Sequence, residues 1–270
     1  MKRIILFIIV GSFLCLNPAG PSIAGVTVVG SLSHDMTVKP GERIEGMIMV
    51  KNNDEEYAQV SIFQTDYLFN ANGETQYGEP GSNTRSNTAW MSVSPTRLTI
   101  PPKETVPVYY EINVPKGPDL KGTYWSVLMV EPTAPIASDP KEQDGKITMG
   151  VRTVMRYAIQ IVTNIGETGN STIKLSDNKL IKRNGKTILQ TDIENTGETF
   201  LRPFLWMELY NEEGAYMGRF ESDRLRIFPA CSVRHNLDLT DVPSGLYTAL
   251  FIIDNGDDRV FGANYEVRLK

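Results

Sequence analysis

The sequence predicts an all-β protein with two immunoglobulin-like β-sandwich domains in tandem, placed after a cleaved signal peptide. Three observations lead to this prediction. Apolar and polar residues alternate over many short segments, turn sequences separate those segments, and a set of motifs occurs twice in the same order. Apolar stripes of helical spacing and length are missing from the sequence. Short strands at regular spacing are typical of a sandwich.

The first 24 residues have the layout of an export signal. Lys2 and Arg3 precede an apolar run from Ile4 to Leu16, and the small residues Ser22 and Ala24 stand at the −3 and −1 positions of a cleavage site. As a helix this run covers about 20 Å, less than the roughly 30 Å core of a bilayer, so it is too short for a membrane anchor. We therefore expect a periplasmic, cell-surface or secreted protein, with no membrane span in the mature chain.

Period-two alternation predicts a series of strands in the mature chain. The alternation is clearest over Val106–Val114 and Phe261–Leu269. Further strands are predicted at Arg43–Lys51, Ala58–Tyr67, Thr123–Glu131, Lys186–Glu194, Phe204–Tyr210 and Leu246–Asp254. Turn sequences such as Asn184-Gly185 and Asn255-Gly256 lie between them.

Three motifs of the first half return in the second half in the same order. The matching pairs are Val50–Asp54 with Ile193–Gly197, Arg97–Pro102 with Arg224–Pro229, and Gly122–Tyr124 with Gly245–Tyr247. An ordered repeat of this kind predicts two domains with the same strand plan. We place the signal peptide at residues 1–24, the N-terminal domain at residues 25–165 and the C-terminal domain at residues 166–270.

The composition leaves few options for catalysis or metal binding. The chain has two His, two Cys and a formal net charge of −5, and an acidic chain has no electrostatic reason to bind nucleic acid. Neither His34 nor His235 has a second ligand at metal spacing. Cys231 is the one Cys left after cleavage and is expected to be a small buried hydrophobe. We therefore predict a protein that is not an enzyme, with no catalytic residues, no metal and no cofactor.

The segment from Ile147 to Val162 has the longest alternating apolar row in the chain. It forms either one long strand that leaves its sheet, or two ordinary strands joined by a bulge at Arg152 or Arg156. An exposed sheet edge invites an added strand. The predicted partner-binding residues are the apolar row Met149, Val151, Met155, Tyr157 and Ile159, with Arg152 and Arg156 on the other face.

Two segments carry a family resemblance. Val93–Pro102, followed by the strand at Val106–Val114, looks like a Pro-x-Arg element, and Gly150–Tyr157 looks like a long closing strand. In these features the mature chain resembles the periplasmic chaperones of chaperone–usher pilus assembly. The resemblance implies that the closing strand completes the unfinished sandwich of an exported, pilin-like subunit by strand addition.

The same resemblance implies an Arg and a Lys that bind the C-terminal carboxylate of the subunit. Arg156 stands at the position of the Lys. The Arg is expected near the end of the first strand, where this chain has Ser31, Leu32, Ser33 and His34 instead. The carboxylate anchor is therefore incomplete in the sequence.

A second resemblance leads to a different function. Exported proteins with tandem immunoglobulin-like domains, such as the WxL-interacting proteins, share the Asn-rich turn after the second strand and the Gly-x-Tyr strand. Trp90 follows a polar loop and is the candidate for stacking on a sugar, whereas Trp125 and Trp206 are expected in the core. The alternative function is an envelope or surface adhesion module, or a glycan-binding module.

We expect the exported protein to begin at Gly25, because Ser22 and Ala24 define the cleavage site. N-terminal sequencing of material from the periplasm or the medium measures this. Intact Met1 in a cytoplasmic fraction would contradict the prediction of export.

Overall fold

A computed structural model of the chain describes residues 25–133, 155–256 and 260–270. These residues contain seventeen β-strands and one short 3-10 turn at Thr88–Trp90. Among them no helix is long and apolar enough to cross a membrane. The strands form two immunoglobulin-like sandwiches, so the predicted fold class is confirmed.

The first sandwich is built from two facing sheets. One has the order β1 (Val26–Val29), β3 (Arg43–Asn52), β8 (Thr105–Asn113) and β6 (Met91–Ser94). The other has the order β2 (Ser33–Val38), β10 (Tyr157–Ile165), β9 (Gly122–Thr133), β4 (Ala58–Phe69) and β5 (Thr75–Gly78), and β7 (Arg97–Ile100) also pairs with β4.

The second sandwich is built in the same way. Its smaller sheet has the order β11 (Ile173–Arg183), β12 (Lys186–Asn195) and β15 (Ser232–Asp238). Its larger sheet has the order β14 (Tyr216–Glu221), β13 (Phe204–Tyr210), β16 (Gly245–Asp254) and β17 (Val260–Leu269). The exact domain boundary between residues 165 and 166 stays a prediction.

The strongly alternating segments form strands at their predicted places. β13 has the predicted bounds, and β3, β8, β9, β12, β16 and β17 lie within two residues of theirs. The alternation works because one face of each strand is packed into a core. In β13, for example, Leu205, Met207 and Leu209 are fully buried while the residues between them are half-buried. Full burial of such a side chain stabilises the fold by about 1.5–3 kcal/mol.

A buried asparagine closes the first copy of the repeated motif. The side-chain amide of Asn52 donates hydrogen bonds to the backbone oxygens of Glu56 at 2.7 Å and Ile100 at 3.1 Å. Its side-chain oxygen accepts from the backbone N–H of Asp54 at 3.0 Å. Asn52 is completely buried, so these bonds tie the end of β3 to the end of β7 in the facing sheet.

Asn195 does the same in the second sandwich. Its amide donates to the backbone oxygens of Thr199 at 2.8 Å and Ile227 at 2.9 Å, and its oxygen accepts from the N–H of Gly197 at 2.9 Å. It is also completely buried. Because Ile227 and Ile100 are matched residues of the repeat, the two copies have equivalent structures.

The core of the second sandwich includes side chains from the first. Phe228 is completely buried and stacks on Trp125 of β9, with ring centroids 4.9 Å apart and planes 10° apart. Phe69 of β4 lies edge-on to the same ring at 6.2 Å, and Phe200 lies 5.5 Å from it. Val162 of β10 belongs to this cluster as well. The two sandwiches therefore share one apolar cluster.

Two glycines allow the backbones of the sandwiches to approach closely. A Cβ atom at Gly122 would lie 2.2 Å from the backbone oxygen of Glu198, and one at Gly169 would lie 2.9 Å from the Cα of Gly122. The next N–H, that of Thr123, donates to the same Glu198 oxygen at 2.8 Å. A side chain at either glycine would push the two backbones apart.

Two chemically reactive residues lie buried in the second sandwich. Cys231 is completely buried, and desolvation raises the pKa of its thiol to about 11, as fits the predicted small hydrophobe. His235 is 1% exposed; its Nδ1 contacts the Ser222 hydroxyl, while its Nε2 has no hydrogen-bond partner among the described residues. Burial lowers the pKa of the imidazole to about 4.

Replacing Asn195 by Ala should lower the free energy of unfolding by about 2–3 kcal/mol, because it leaves buried backbone groups without partners. Urea denaturation at neutral pH measures this. Asn236, an exposed residue of β15, is the matched control, and its change to Ala should cost no more than about 0.5 kcal/mol. Equal losses for the two variants would contradict the structural role of Asn195.

The stability of the protein should fall as the pH is lowered below about 6.5, because His235 binds a proton more readily in the unfolded chain than in the folded one. The loss grows as the pH falls towards 4 and approaches about 3 kcal/mol. Urea midpoints measured between pH 7 and pH 4 follow it.

His235→Gln should show a flatter pH dependence than the wild type over this range, whatever its stability at pH 7. A slope that is unchanged in His235→Gln would assign the effect to other groups.

Candidate partner-binding edge

The β10 strand is covered on one side only over its first three residues. β9 pairs with β10 along its whole length. β2 pairs with it in parallel, and only from Gln160 onward, where Ser33 is the first partner. Among the described strands, residues 157–159 therefore have a neighbour on the β9 side alone. Such a stretch of sheet edge can accept a further strand.

The edge is open because the chain changes sheets just before β2. β1 pairs with β3 in one sheet, whereas β2 pairs with β10 in the other. Gly30, between them, has a φ of +105°, which residues with a side chain rarely adopt. The Ser31 hydroxyl accepts from the N–H of Ser33 at 3.1 Å and donates to its carbonyl at 2.7 Å. Because of this local turn, pairing between β2 and β10 begins only at Ser33 and Gln160.

The backbone of the open stretch points its polar groups outward. The N–H of Gln160 donates to the carbonyl of Leu32 at 2.9 Å, on the β2 side. The backbone groups of consecutive residues in a strand point to opposite edges, so those of every second residue point to the same edge. The N–H and C=O of Ala158 therefore point to the same side as those of Gln160, beyond the start of β2.

The predicted apolar row changes from core to surface along β10. Ile161 and Ile159 are completely buried in the core of the first sandwich. Tyr157 is half-buried against the same core, and Met155 is 59% exposed. Ile159, which the sequence placed among the partner-binding residues, fills its own sandwich, so we leave its side chain out of the proposed surface.

The remaining predicted residues of the row, Met149, Val151 and Arg152, lie outside the described residues. Their contact with a partner stays a prediction. The choice between one long strand and two strands joined by a bulge also rests on this part of the chain, and it stays open.

Arg156 is engaged within the protein. Its Nη2 lies 2.6 Å from Oε1 of Glu131 on β9, and the side chains are 60% and 26% exposed, respectively. An exposed ion pair of this kind contributes about 0–1 kcal/mol. A carboxylate of a partner can therefore compete with Glu131 for the guanidinium at low cost.

A different arginine reaches the start of β2. Arg226, which lies between β14 and β15, donates to the Asp35 carboxylate, to the Ser33 hydroxyl and, at 3.0 Å, to Oε1 of Gln160. No local sequence pattern predicts this contact, since Arg226 and Ser33 are 193 residues apart in the chain. A cation from the second sandwich thus lies at the start of β2, and it is already paired with Asp35.

The tryptophans are placed partly as predicted. Trp125 is buried, as expected. Trp90 packs on Tyr124, with ring centroids 4.5 Å apart, and borders the first core. Trp206 was predicted to be a core residue, and this is wrong: it is half-buried on the outer face of β13, with the Arg219 guanidinium 4.4 Å from its ring. The residues on either side of Trp206 are the ones that face the core.

Among the described residues each histidine contacts a hydroxyl group, and Nδ1 of the buried His235 lies against that of Ser222. Nδ1 of His34 lies 2.7 Å from the Tyr110 hydroxyl, and His235 and Cys231 are buried in the other sandwich. Within residues 25–133, 155–256 and 260–270, no three His, Cys, Asp or Glu side chains come close enough to hold a metal ion.

Comparison with known proteins bears on the fold. No protein-family model and no curated protein sequence matches the chain. A structure of a chaperone–tip adhesin complex of CFA/I fimbriae biogenesis includes a chain that is 12% identical to this one. The match has a TM-score of 0.51 and covers 92% of this chain and 100% of that one.

Two further structures give weaker matches. The class 5 fimbriae chaperone CfaA is 13% identical, with a TM-score of 0.47 and coverage of 91% of this chain and 100% of CfaA. A chain of the CsuC–CsuE chaperone–tip subunit complex of Acinetobacter baumannii is 14% identical, with a TM-score of 0.42 and coverage of 78% and 89%. On the strength of the first match, the chain has a fold like that of the pilus chaperones.

Proposed function

We propose that the protein is a periplasmic, chaperone-like protein that holds an exported, pilin-like subunit by strand addition at β10. The observation that carries this proposal is the open stretch at residues 157–159, with the exposed Met155 beside it. The proposed role involves no reaction, in keeping with the chaperones whose fold the chain shares.

The open edge offers two kinds of interaction to a partner strand. Its backbone N–H and C=O groups, such as those of Ala158, form sheet hydrogen bonds that do not depend on the partner's sequence. The apolar side chains at this end supply specificity: Met155, just before β10, is 59% exposed, and Tyr157, the first residue of β10, is half-buried. A subunit that lacks one strand of its sandwich exposes an apolar groove, and this row would fill it. Each such side chain contributes about 1.5–3 kcal/mol when buried.

Charge at the edge fits the same partner. Arg156, just before β10, pairs with Glu131 of β9 and lies within reach of a carboxylate that displaces Glu131. Because an exposed pair with Glu131 is weak, the exchange would cost little. We propose that Arg156 is one of the residues that bind the C-terminal carboxylate of the subunit.

The shared apolar cluster supports this function mechanically. Trp125 stacks on Phe228 on the face of the β2–β10–β9 sheet that is turned towards the second sandwich. The partner edge is thereby fixed to a rigid base, and little conformational entropy is lost there when a strand is added.

A second function has its own support in the structure. The outer face of β13 carries Phe204 and Trp206, with the guanidinium groups of Arg224 and Arg219 at 5.7 Å and 4.4 Å from their rings. Half-buried aromatic rings on a sheet surface suit stacking on a sugar. The alternative is therefore an envelope or surface adhesion module, or a glycan-binding module, that uses this face.

Native co-purification of the full-length protein from the periplasm distinguishes the two functions. A bound exported chain with an incomplete immunoglobulin-like sandwich would support the chaperone role. Bound glycan or peptidoglycan fragments would support the surface module and contradict the chaperone role. The recovered subunit, once sequenced and produced separately, is the probe for the experiments below.

Met155→Asp should leave folding intact and reduce capture of the subunit more than about tenfold, because it puts a charge into the apolar groove. Met47→Asp changes an exposed Met in the facing sheet and should have no effect on capture. Thermal melts beside a pull-down measure both properties. A Met155→Asp protein that captures as well as the wild type would contradict the proposed groove role.

Ile159→Asp serves as the reference for a core change. It should lower the melting temperature by well over ten degrees, because a charge would be buried without a partner.

Arg156→Glu should weaken capture with little change in the melting temperature, since it replaces an attraction for the carboxylate by a repulsion.

A further inference from the structure

Arg226 of the second sandwich joins three elements around the start of the open edge. Its guanidinium donates to Ser33 and Asp35 of β2 and to Gln160 of β10, and lies 4.9 Å from the ring centre of Phe200. The planar fork of a guanidinium can serve several acceptors at once, which an ammonium group does less well. Arg226 thus holds β2, β10 and its own segment of the second sandwich together at one point.

This point coincides with the end of the β2–β10 ladder. Ser33 and Gln160 are the first partners in that ladder, and both are bonded by Arg226. The first ladder hydrogen bond, from the N–H of Gln160 to the carbonyl of Leu32, lies directly beside them. Beyond it, towards Tyr157, β10 has no described neighbour on this side.

The end of a parallel ladder is a place where strands fray, because few bonds hold the terminal pair. The side chain of Arg226 is 26% exposed and that of Asp35 is 38% exposed, so the contact is screened less than a fully exposed ion pair. The Arg226 guanidinium therefore lies where it can hold the first pair of the β2–β10 ladder closed. It can also prevent β2 from pairing further along β10 towards Tyr157.

We propose that Arg226 is a positioning residue that sets where the open edge of β10 begins, and so how far a subunit strand can pair along it. The proposal rests on the proposed function, since the edge matters only if a strand is added there. It assigns to the second sandwich a direct part in shaping the partner-binding edge on the first.

Amide hydrogen exchange in the full-length protein tests the structural half without any partner. Arg226→Ala should speed exchange of the Gln160 amide by about tenfold or more, because the terminal bond of the ladder opens more often. The Gly166 amide, which donates to Val38 at 2.9 Å at the far end of the same ladder, should keep its rate. Equal acceleration at both ends, or none at Gln160, would overturn the proposal.

Arg224→Ala is the matched control. Arg224 lies two residues earlier in the same segment, and its guanidinium stacks on Phe204 of the second sandwich. It should leave the Gln160 amide unchanged. The exchanged pair Arg226→Asp with Asp35→Arg should restore slow exchange at Gln160, because the attraction is rebuilt with opposite polarity and Gln160 can turn its amide to suit it. Failure of this rescue, in a folded double variant, would contradict the positioning role of Arg226.

Capture of the subunit recovered by co-purification tests the functional half. Arg226→Ala should weaken capture about tenfold with a nearly unchanged melting temperature, and the exchanged pair should recover it. If Gln160 frays in Arg226→Ala while capture stays at the wild-type level, the positioning role is wrong and the proposed function stands. If the wild-type protein captures no subunit, the proposed function fails, and the Gln160 amide alone decides whether Arg226 sets the end of the ladder.

Discussion

The pairing of backbone hydrogen bonds along β10 is the constraint on which the rest of the first sandwich depends. A strand inside a sheet satisfies its N–H and C=O groups on both sides, and a strand with one bare side must be protected or used. Here the N-terminal segment is divided between two sheets at Gly30, so that it covers β10 only from Gln160 onward. The open stretch is therefore a product of topology, and a few residues at the crossing decide its length.

The second sandwich keeps that topology in place. Phe228 stacks on Trp125 from below the sheet, and Arg226 holds the first pair of the β2–β10 ladder. The first contact is apolar and insensitive to salt, whereas the second is ionic and partly exposed. The apolar contact of Phe228 and the polar contact of Arg226 thus come from residues only two positions apart in the chain.

Sequence patterns predicted the fold because strand alternation and repeats are local properties. Strands with one buried face, such as β13 and β16, were placed correctly from their period-two pattern, and the repeated Asn52 and Asn195 mark equivalent buried turns. Short strands such as β1 and β5 were missed, because four residues carry too little pattern to recognise. The parity of Trp206 was misjudged, since both faces of its strand carry apolar residues.

The candidate site was less accessible to prediction for the same physical reason. The apolar row of the closing strand is visible in the sequence, but the point at which it passes from core to surface, between Ile159 and Met155, depends on which strands lie beside it. Arg226 was invisible because nothing local connects it with Asp35, 191 residues earlier. Contacts between the two sandwiches depend on how the domains pack against each other. The alternation of apolar and polar residues predicts strands and contains no information about that packing.

The burial of Phe228 among residues of both sandwiches has a consequence for how such a protein can be recombined. Its two halves repeat one strand plan, which invites the view that they are exchangeable cassettes. A graft of the second half onto an unrelated N-terminal sandwich would, however, leave Phe228 and Phe200 facing water unless the new sandwich brought its own counterparts of Trp125 and Phe69. The two sandwiches together are therefore the unit that can be transplanted. A hybrid of two different proteins should be insoluble if it lacks the aromatic residues on one side of this junction.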